Sequence, residues 1–333
     1  MAPQSGKRLL IVGYGSIGRR HLTVARAVMP DLAAVLLRRP GGGAEHPDAE
    51  VVHDLAAAIA AAPDLAIVAT PAPFHVEAAA ALIEADIPVL VEKPLAASVE
   101  GVPALLRAAR ERAVPLLLGY CLRHDPAFAA LRAALPRVGP LVSARAEVGQ
   151  YLPDWRPGTD YRCGVSARAE LGGGALLELS HEIDLLRALL GEARSVSAAL
   201  GRAGGLEIDV EDSADLVLRF DGGPIATAHL DMVQRAPVRT LRLAGRDGTL
   251  EWDGIARTSR LFDAAAGTWR VLHEGGDGDA MYRAQFEHFL ACAAGESKPE
   301  VTGLDGLRVL EIVAAARVSA HAGREISIRS LEP

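Results

Sequence analysis

The sequence predicts an α/β protein in which a parallel sheet with helices on both faces is followed by an α+β domain. In the first 121 residues, short apolar runs alternate with alanine-rich stretches, which is typical of parallel strands joined by helices. Further along, strand-like runs follow one another with turn residues between them, which indicates a mostly antiparallel sheet. A chain of 333 residues exceeds one ordinary core, so we expect two domains, 1–121 and 122–333.

The first domain is predicted to alternate five strands with four helices. The strands are expected at 8–13, 32–38, 64–70, 88–92 and 114–120. The helices are expected at 18–29, 54–62, 75–85 and 99–112. Each strand is an apolar run of the kind that a parallel sheet buries on both faces, and alanine favours each helix.

The second domain is predicted to begin with a helix at 126–135 and a long alternating strand at 141–149. A second helix is expected over 172–191. Six strand-like runs follow, from RSVSAAL to TSRLFDA, and two amphipathic helices near 281–295 and 305–323 close the chain. This order indicates an α+β domain with a mostly antiparallel open sheet.

Composition limits the functional class. The net charge is −7 and the aromatic fraction is 4%, which argue against a nucleic-acid partner. Cys121, Cys163 and Cys292 are far apart and lack metal-ligand spacing, so we expect no metal site and reduced thiols in a cytoplasmic protein. No run reaches the roughly 18 to 20 apolar residues of a membrane span.

A glycine-rich turn follows the first predicted strand and opens the first helix. Gly13, Gly15 and Gly18 have the G-x-G-x-x-G spacing, with Ser16 and Ile17 between the last two. Gly13 permits the tight turn, Gly15 lets the backbone approach a pyrophosphate, and Gly18 lets the helix pack against the sheet. We therefore predict a dinucleotide site, the alternative being a purely structural turn.

The end of the second predicted strand suggests which dinucleotide is bound. NAD-binding domains carry an acidic residue there for the ribose diol, whereas this chain has Arg38 and Arg39. A guanidinium pairs with a 2′-phosphate in a forked geometry, so NADP(H) is favoured over NAD(H). If one arginine only stacks on adenine or is solvated, NAD(H) remains the cofactor.

The third predicted strand ends in ATPAPFH, with Thr70 and Pro71 where the carboxyl ends of parallel strands face a ligand. His75 begins the next helix and is either a cofactor contact or a packing residue.

The fourth strand ends in Glu92 and Lys93, followed by Pro94. The pair faces the same crevice as the dinucleotide, so Glu92 and Lys93 are candidate cofactor contacts. The amine can also hold a substrate hydroxyl or relay its proton beside the cofactor, with Glu92 orienting it. The alternative is a surface ion pair.

Four segments in this order resemble the Gfo/Idh/MocA oxidoreductases: GYGSIG, ATPAPFHVEAA, EKPLA and GGGALLELSHEIDLL. The resemblance covers nearly the whole chain. It implies that Lys93 is catalytic and binds substrate, and that the Lys93–Pro94 bond is cis. It further implies homodimers or homotetramers formed by the second domain's sheet.

The same resemblance implies a second catalytic element in the second domain. His181 matches the family's histidine, the candidate general base, and Asp184 matches the aspartate three residues later. The family's earlier acid has no clean match, because Leu177 stands four residues before His181. Glu178 shares a helix face with His181 if the helix is continuous and is a candidate substitute; the alternatives are a packing carboxylate for Glu178 and a structural histidine for His181.

A loop after the long strand concentrates Tyr151, Trp155 and Arg156 in a chain poor in aromatics. Aromatic faces with arginine suit a sugar ring that carries a carboxylate or phosphate, although loop packing is equally compatible. The segment resembles a family branch associated with surface sugars. The expected function is hydride transfer between NAD(P) and a sugar, polyol or sugar derivative. The alternatives are an NAD-dependent glycosidase with transient oxidation and a non-catalytic NADP(H)-binding sensor.

Overall fold

The computed structural model describes residues 6–39, 46 and 48–332. Residues 1–5 and 333 of the predicted domains lie outside the described residues. Contacts divide the chain into two compact units. The main segment of the first ends at Cys121, and the second contains Leu122–Ala280 with Arg308–Ser330. Met281–Leu307, predicted as part of the second domain, belongs to the first unit.

A six-stranded parallel sheet forms the first unit. Its strands are β1 (Arg8–Val12), β2 (Ala33–Leu37), β3 (Glu50–Val52), β4 (Leu65–Val68), β5 (Val89–Val91) and β6 (Leu116–Leu118). They pair in the order β3-β2-β1-β4-β5-β6. The order reverses between β1 and β4, where sheets of this kind bind ligands outside the carboxyl ends of the strands. The five predicted strands are confirmed; β3 was not predicted, because three residues carry too little periodicity.

Four helices connect these strands: α1 (Ser16–Val28), α2 (Leu55–Ala60), α3 (His75–Glu84) and α4 (Val102–Glu111). Helix α1 buries Leu22, Val24 and Ala25 and exposes its other side, as its apolar stripe requires. Asp54 caps α2 by accepting a hydrogen bond from the amide of Ala57. The parallel class predicted from the alternation is therefore confirmed.

The second unit begins with helix α5 (Pro126–Ala133) and holds a nine-stranded sheet. Its strands are β7 (Leu141–Gly149), β8 (Ala193–Gly201), β9 (Ser213–Phe220), β10 (Ile225–Asp231), β11 (Val238–Gly245), β12 (Gly248–Asp253), β13 (Thr258–Asp263), β14 (Thr268–Glu274) and β15 (Ile326–Ser327). The order is β14-β13-β12-β11-β7-β10-β9-β8-β15. The described strands pair antiparallel except β7 with β10. The edge strands β14 and β15 were not predicted, because β14 is mostly exposed and β15 has two residues.

The helix predicted over 172–191 is interrupted. Helix α6 (Ala175–Glu178) ends at Leu179, whose φ of −105° and ψ of 27° leave the helical region. Helix α7 (His181–Leu190) begins after Ser180. The expectation of one continuous helix is therefore wrong, because this backbone turn separates Glu178 from His181.

The chain closes with α8 (Ala280–Ala293) and α9 (Gly303–Ala322). Phe286 and Phe289 of α8 are buried in one apolar cluster with Leu9 and Ile11 of β1. This packing explains why Met281–Leu307 belongs to the first unit. Among the described helices, none combines the length and the apolar character needed to cross a bilayer.

Candidate active site

The turn after β1 has a backbone and packing that require glycine. Gly13 has φ +93°, and a Cβ there would lie 2.8 Å from the carbonyl oxygen of Ala69. A Cβ on Gly18 would lie 2.2 Å from the carbonyl oxygen of Gly13. A side chain at Gly13 would strain the tight turn, and one at Gly18 would push α1 away from the sheet, in agreement with the role predicted for each glycine.

The N-terminus of α1 offers room for an anion. Apart from its own chain neighbours, no atom of the described residues lies within 4 Å of a Cβ built on Gly15, which precedes Ser16 and Ile17 at the start of the helix. Gly15 provides no side-chain cap, and the first amides of a helix have no intrahelical acceptor. Open space beside these amides fits a dinucleotide pyrophosphate, because the amides and the helix dipole both favour negative charge.

Basic and aromatic side chains meet at the end of β2. The guanidinium carbon of Arg38 lies 5.6 Å from the ring centre of Tyr14, and that of Arg39 lies 5.8 Å from the ring centre of Phe74. His53 Nδ1 is 3.0 Å from the carbonyl oxygen of Arg38. Positive charge therefore collects where an NAD-specific domain carries its ribose-binding carboxylate.

Strand β4 ends at a hydroxyl suited to a ligand. Thr70 Oγ1 is buried and has no hydrogen-bond partner within the described part of the chain. Pro71 follows it and precedes the turn Ala72–Phe74. A buried hydroxyl without a partner is costly, so this position at a carboxyl strand end fits contact with a bound dinucleotide.

His75 is a bridge between two turns. Its ring is 1% exposed. Nδ1 lies 2.9 Å from the carbonyl oxygen of Pro94, and Nε2 lies 2.6 Å from that of Thr70. Burial lowers the pKa of His75 below its ordinary value, against the opposing effect of these backbone contacts. Both nitrogens face backbone carbonyl oxygens, which fits the packing alternative, and a cofactor contact by His75 stays a prediction.

Glu92 is held on both carboxylate oxygens. Its side chain is largely buried, with Oε1 2.6 Å from His21 Nε2. Oε2 accepts a hydrogen bond of 3.1 Å from the backbone amide of Lys93. These partners fit the expected role of Glu92 in orienting Lys93, and a contact of Glu92 with the cofactor stays a prediction.

Lys93 is half-buried directly after β5, and the Lys93–Pro94 bond is cis, as predicted. The choice of lysine here is informative. The chain has 35 basic residues, of which only Lys7, Lys93 and Lys298 are lysines. An ammonium group gives up a proton far more readily than a guanidinium, so lysine at this edge suits proton exchange.

In the second unit, His181 is the first residue of α7 and is 8% exposed. Asp184 is fully buried and accepts two hydrogen bonds from Arg123, of 2.8 and 2.5 Å. Arg187 lies 3.9 Å from the same carboxylate. Asp184 thus fixes α7 through Arg123, and two arginines lie against its carboxylate. Its assignment as a catalytic residue stays a prediction.

Glu178 and the glycines before it are held by packing. Ser166 Oγ donates a hydrogen bond of 2.6 Å to Glu178 Oε2. A Cβ on Gly173 would lie 2.5 Å from the carbonyl oxygen of Val165, so the glycine segment before α6 is tightly packed. Glu178 faces the 151–166 segment through Ser166, and the break between α6 and α7 removes the shared helix face predicted for Glu178 and His181.

The segment that follows β7 encloses a cavity of about 340 Å³. Trp155 and Arg156 line it, and Ser166 lies at its wall. Trp155 Nε1 donates to the carbonyl oxygen of Gln150 at 3.0 Å. Tyr151 is instead covered by Arg235, whose guanidinium carbon is 3.4 Å from the ring centre. The three predicted residues therefore separate into two lining the cavity and one stacked on an arginine.

Comparison with known families agrees with this geometry. Residues 7–120 match the oxidoreductase family with an NAD-binding Rossmann fold, and residues 129–251 match the Gfo/Idh/MocA C-terminal domain. The chain belongs to the Gfo/Idh/MocA family. It is an oxidoreductase with a Rossmann domain for a nicotinamide dinucleotide, and the predicted family and fold class are confirmed.

Three Gfo/Idh/MocA relatives illustrate the similarity. The 1,5-anhydro-D-fructose reductase of Ensifer adhaerens is 28% identical over 277 residues, 80% of each protein. The UDP-N-acetylglucosamine 3-dehydrogenase of Acidithiobacillus ferrooxidans is 27% identical over 94% of this chain and 96% of its own. A levoglucosan dehydrogenase, solved with NADH and levoglucosan, superimposes with a TM-score of 0.87 at 22% identity, over 98% of this chain and all of its own.

Two residues of this Gfo/Idh/MocA chain that contact candidate site residues were not predicted from the sequence. His21 contacts Glu92, and Arg123 neutralises Asp184. His21 lies three residues after Gly18 on the buried stripe of α1, where a histidine among apolar neighbours signals a partner. Arg123 precedes His124 and Asp125 at the boundary of the two units, where no periodicity indicates a buried ion pair.

The buried His75 predicts a dependence of stability on pH. Because its pKa is lowered in the folded state, the unfolded chain binds the proton first as the pH falls below about 6.5. Its contribution to folding is therefore present above that pH and decreases on acidification. We expect His75→Gln to flatten this dependence by up to about 1.4 kcal/mol per pH unit, measured by urea unfolding between pH 7.5 and 5.5.

The matched control is His321→Gln, since His321 is exposed in the last turn of α9. It should keep the pH dependence of the parent. Equal slopes for the parent and His75→Gln would contradict the role given to burial.

Proposed function

We propose that the protein oxidises a hydroxyl group of a sugar to a carbonyl group, or catalyses the reverse reduction. The proposed cofactor is NADP(H), and the proposed catalytic residues are Lys93 and His181. The observation that carries this proposal is the anchored lysine at the carboxyl end of β5, in the unit that also holds the glycine turn. When bound, the nicotinamide ring accepts or returns the hydride at its C4 atom. The substrate class is supported by two relatives, a 1,5-anhydro-D-fructose reductase and a UDP-N-acetylglucosamine 3-dehydrogenase.

Removing hydride from an alcohol carbon also requires removing the hydroxyl proton. In the proposed mechanism, the ammonium group of Lys93 holds the hydroxyl oxygen and stabilises negative charge that develops on it. His181 takes the proton as a general base and returns it in the reverse direction. Asp184 acts through Arg123 by fixing α7, so it is a positioning residue.

The cavity beside Trp155 and Arg156 is proposed to bind the part of the substrate remote from the reacting carbon. Trp155 offers an aromatic face and Arg156 a positive charge, a combination that suits a sugar bearing a carboxylate or phosphate. Glu178, held by Ser166, is proposed to accept a hydrogen bond from a sugar hydroxyl. Tyr151 is proposed to contribute to substrate binding indirectly, because its ring stacks against Arg235 and holds that guanidinium group in place.

A preference for NADP(H) follows from the charge at the end of β2. Arg38 and Arg39 stand where an NAD-specific domain has a carboxylate, and their guanidinium groups lie near the Tyr14 and Phe74 rings. A 2′-phosphate would accept hydrogen bonds from these guanidinium groups and pair with their positive charge, whereas a neutral ribose hydroxyl offers no charge to pair with.

A homo-oligomer is part of the proposal. One face of the nine-stranded sheet is exposed where Arg145, Thr227 and Val217 lie side by side on β7, β10 and β9. Such a broad, regular face suits the same face of a second copy. The cytoplasmic location stays a prediction from the sparse cysteines.

The proposed roles of Lys93 and His181 predict large losses of turnover. We expect Lys93→Met and His181→Asn each to lower kcat by about 10²- to 10⁴-fold, because the first removes the group that stabilises charge on the reacting oxygen and the second removes the general base. Turnover is measured by nicotinamide absorbance with NADP(H) on 1,5-anhydro-D-fructose, levoglucosan and UDP-N-acetylglucosamine. NADPH binding, followed by fluorescence, should remain within about threefold of the parent.

Lys298→Met is the matched control, since Lys298 is an exposed lysine of the same chain. It should keep the turnover of the parent. Parent-like turnover in Lys93→Met or His181→Asn would contradict the assignment of roles.

The basic end of β2 predicts dinucleotide selectivity. We expect Arg38→Leu to raise the Kd of NADPH by about 10- to 100-fold, because a hydrogen bond to a charged group contributes about 1.5–3 kcal/mol. The Kd of NADH should change by less than about threefold, because NADH has no 2′-phosphate and therefore loses no contact to one.

Arg110→Leu, on the exposed side of α4, is the control and should leave both constants unchanged. Tighter binding of NADH than NADPH by the parent would contradict the preference, as would equal weakening of both by Arg38→Leu.

A further inference from the structure

A buried histidine lies beneath the lysine turn. His21 is 1% exposed and Glu92 is 7% exposed. The 2.6 Å between His21 Nε2 and Glu92 Oε1 is a short hydrogen bond. An ionised carboxylate only accepts, so Nε2 carries the proton and donates it to Glu92. A buried carboxylate is costly without such donors, so this contact helps to determine the position of the Glu92 side chain.

The His21 ring is itself held in place. The edge of Tyr282 meets it at 5.9 Å between ring centres, and Arg20 lies 5.1 Å from the centre of the tyrosine ring. The pKa of Tyr282 is raised well above its usual range, first by neighbouring Cys121 and then by burial and Glu92. The phenol therefore stays neutral at working pH and adds no second anion beside Glu92.

Glu92 has little freedom on its other side. A Cβ on Gly119 would lie 3.0 Å from Glu92 Cα and 3.1 Å from Oε2. Oε2 also accepts the backbone amide of Lys93 at 3.1 Å. The carboxylate is thus fixed between β6, helix α1 and the residue it orients.

The placement of His21 on α1 links two parts of the first unit. The N-terminus of this helix carries the glycine turn fitted to a pyrophosphate, and His21 lies one turn further along. We propose that His21 is a positioning residue that ties the backbone of Lys93 to the dinucleotide-binding helix through Glu92. The inference rests on the proposed function, which gives Lys93 its part in the reaction.

Such a residue affects the chemical step more than cofactor binding. Loss of the Nε2 donor lets the Glu92 carboxylate turn, and the Lys93 amide loses its fixed acceptor. The lysine then spends less time where it can hold the reacting hydroxyl, and small displacements of a reacting group reduce kcat strongly. The glycine turn is untouched, so the Kd of the dinucleotide is conserved.

The test compares four single variants and one double variant with NADP(H) and the fastest sugar of the panel given above. His21→Leu removes the donor at similar volume, whereas His21→Gln keeps an N–H at nearly the reach of Nε2. Glu92→Gln and the double variant His21→Leu/Glu92→Gln complete a double-mutant cycle. His288→Leu is the matched control, because His288 is a histidine of the same unit that contacts Cys292 and the amide of Glu300.

We expect His21→Leu to lower kcat about tenfold, equivalent to about 1.4 kcal/mol, with KM and the NADPH Kd within about threefold of the parent. His21→Gln should recover to within about threefold of the parent, and His288→Leu should match the parent. In the Glu92→Gln background, His21→Leu should lower kcat by less than about twofold, because both act through one carboxylate. If His21→Leu yields no folded protein, His21→Asn, whose amide is too short to reach Glu92, takes its place.

Two results would overturn the inference. One is a kcat for His21→Leu or His21→Asn equal to that of His288→Leu. The other is a double variant whose losses multiply, which would mean that His21 does not act through Glu92. Parent-like turnover in Lys93→Met would instead contradict the proposed function, so the two failures are distinguishable.

Discussion

The buried carboxylate of Glu92 is the constraint on which the first half of the site depends. A carboxylate at the edge of a parallel sheet is stable only when donors replace the water it has lost. Here the donors are His21 on α1 and the amide of Lys93, and Gly119 leaves just enough space behind it. The same group therefore connects the cofactor helix, the sixth strand and the lysine. Its burial explains why an acid follows an apolar strand.

The second unit also contains a buried carboxylate, Asp184, which is paired with Arg123. Asp184 is fully buried and is neutralised by Arg123 through two hydrogen bonds. Removing one partner of such a pair leaves an uncompensated charge and typically costs about 3–5 kcal/mol. The pair fixes α7, whose first residue is His181. In both units a buried carboxylate and its hydrogen-bond donors position the element that presents the candidate catalytic side chain.

The sequence was most informative where one residue has one physical role. Alternating apolar runs predicted the parallel sheet, and the glycine spacing predicted a turn whose φ and packing exclude side chains. Contacts between distant segments were not predictable in this way. The partners of Glu92 and Asp184 lie 71 and 61 residues away, and no local period indicates them. The break at Leu179 was also missed, because both halves are good helix formers, and so was the return of Phe289 to the first core.

The central claim is that the Glu92-anchored Lys93 meets the substrate at the nicotinamide. The most direct measurement is a crystal structure of the dead-end complex with NADPH and the alcohol form of the preferred sugar. We expect Lys93 Nζ within about 3.2 Å of the hydroxyl on the carbon that faces nicotinamide C4. A sugar hydroxyl bound by other groups at that carbon, with Lys93 directed into solvent, would contradict it.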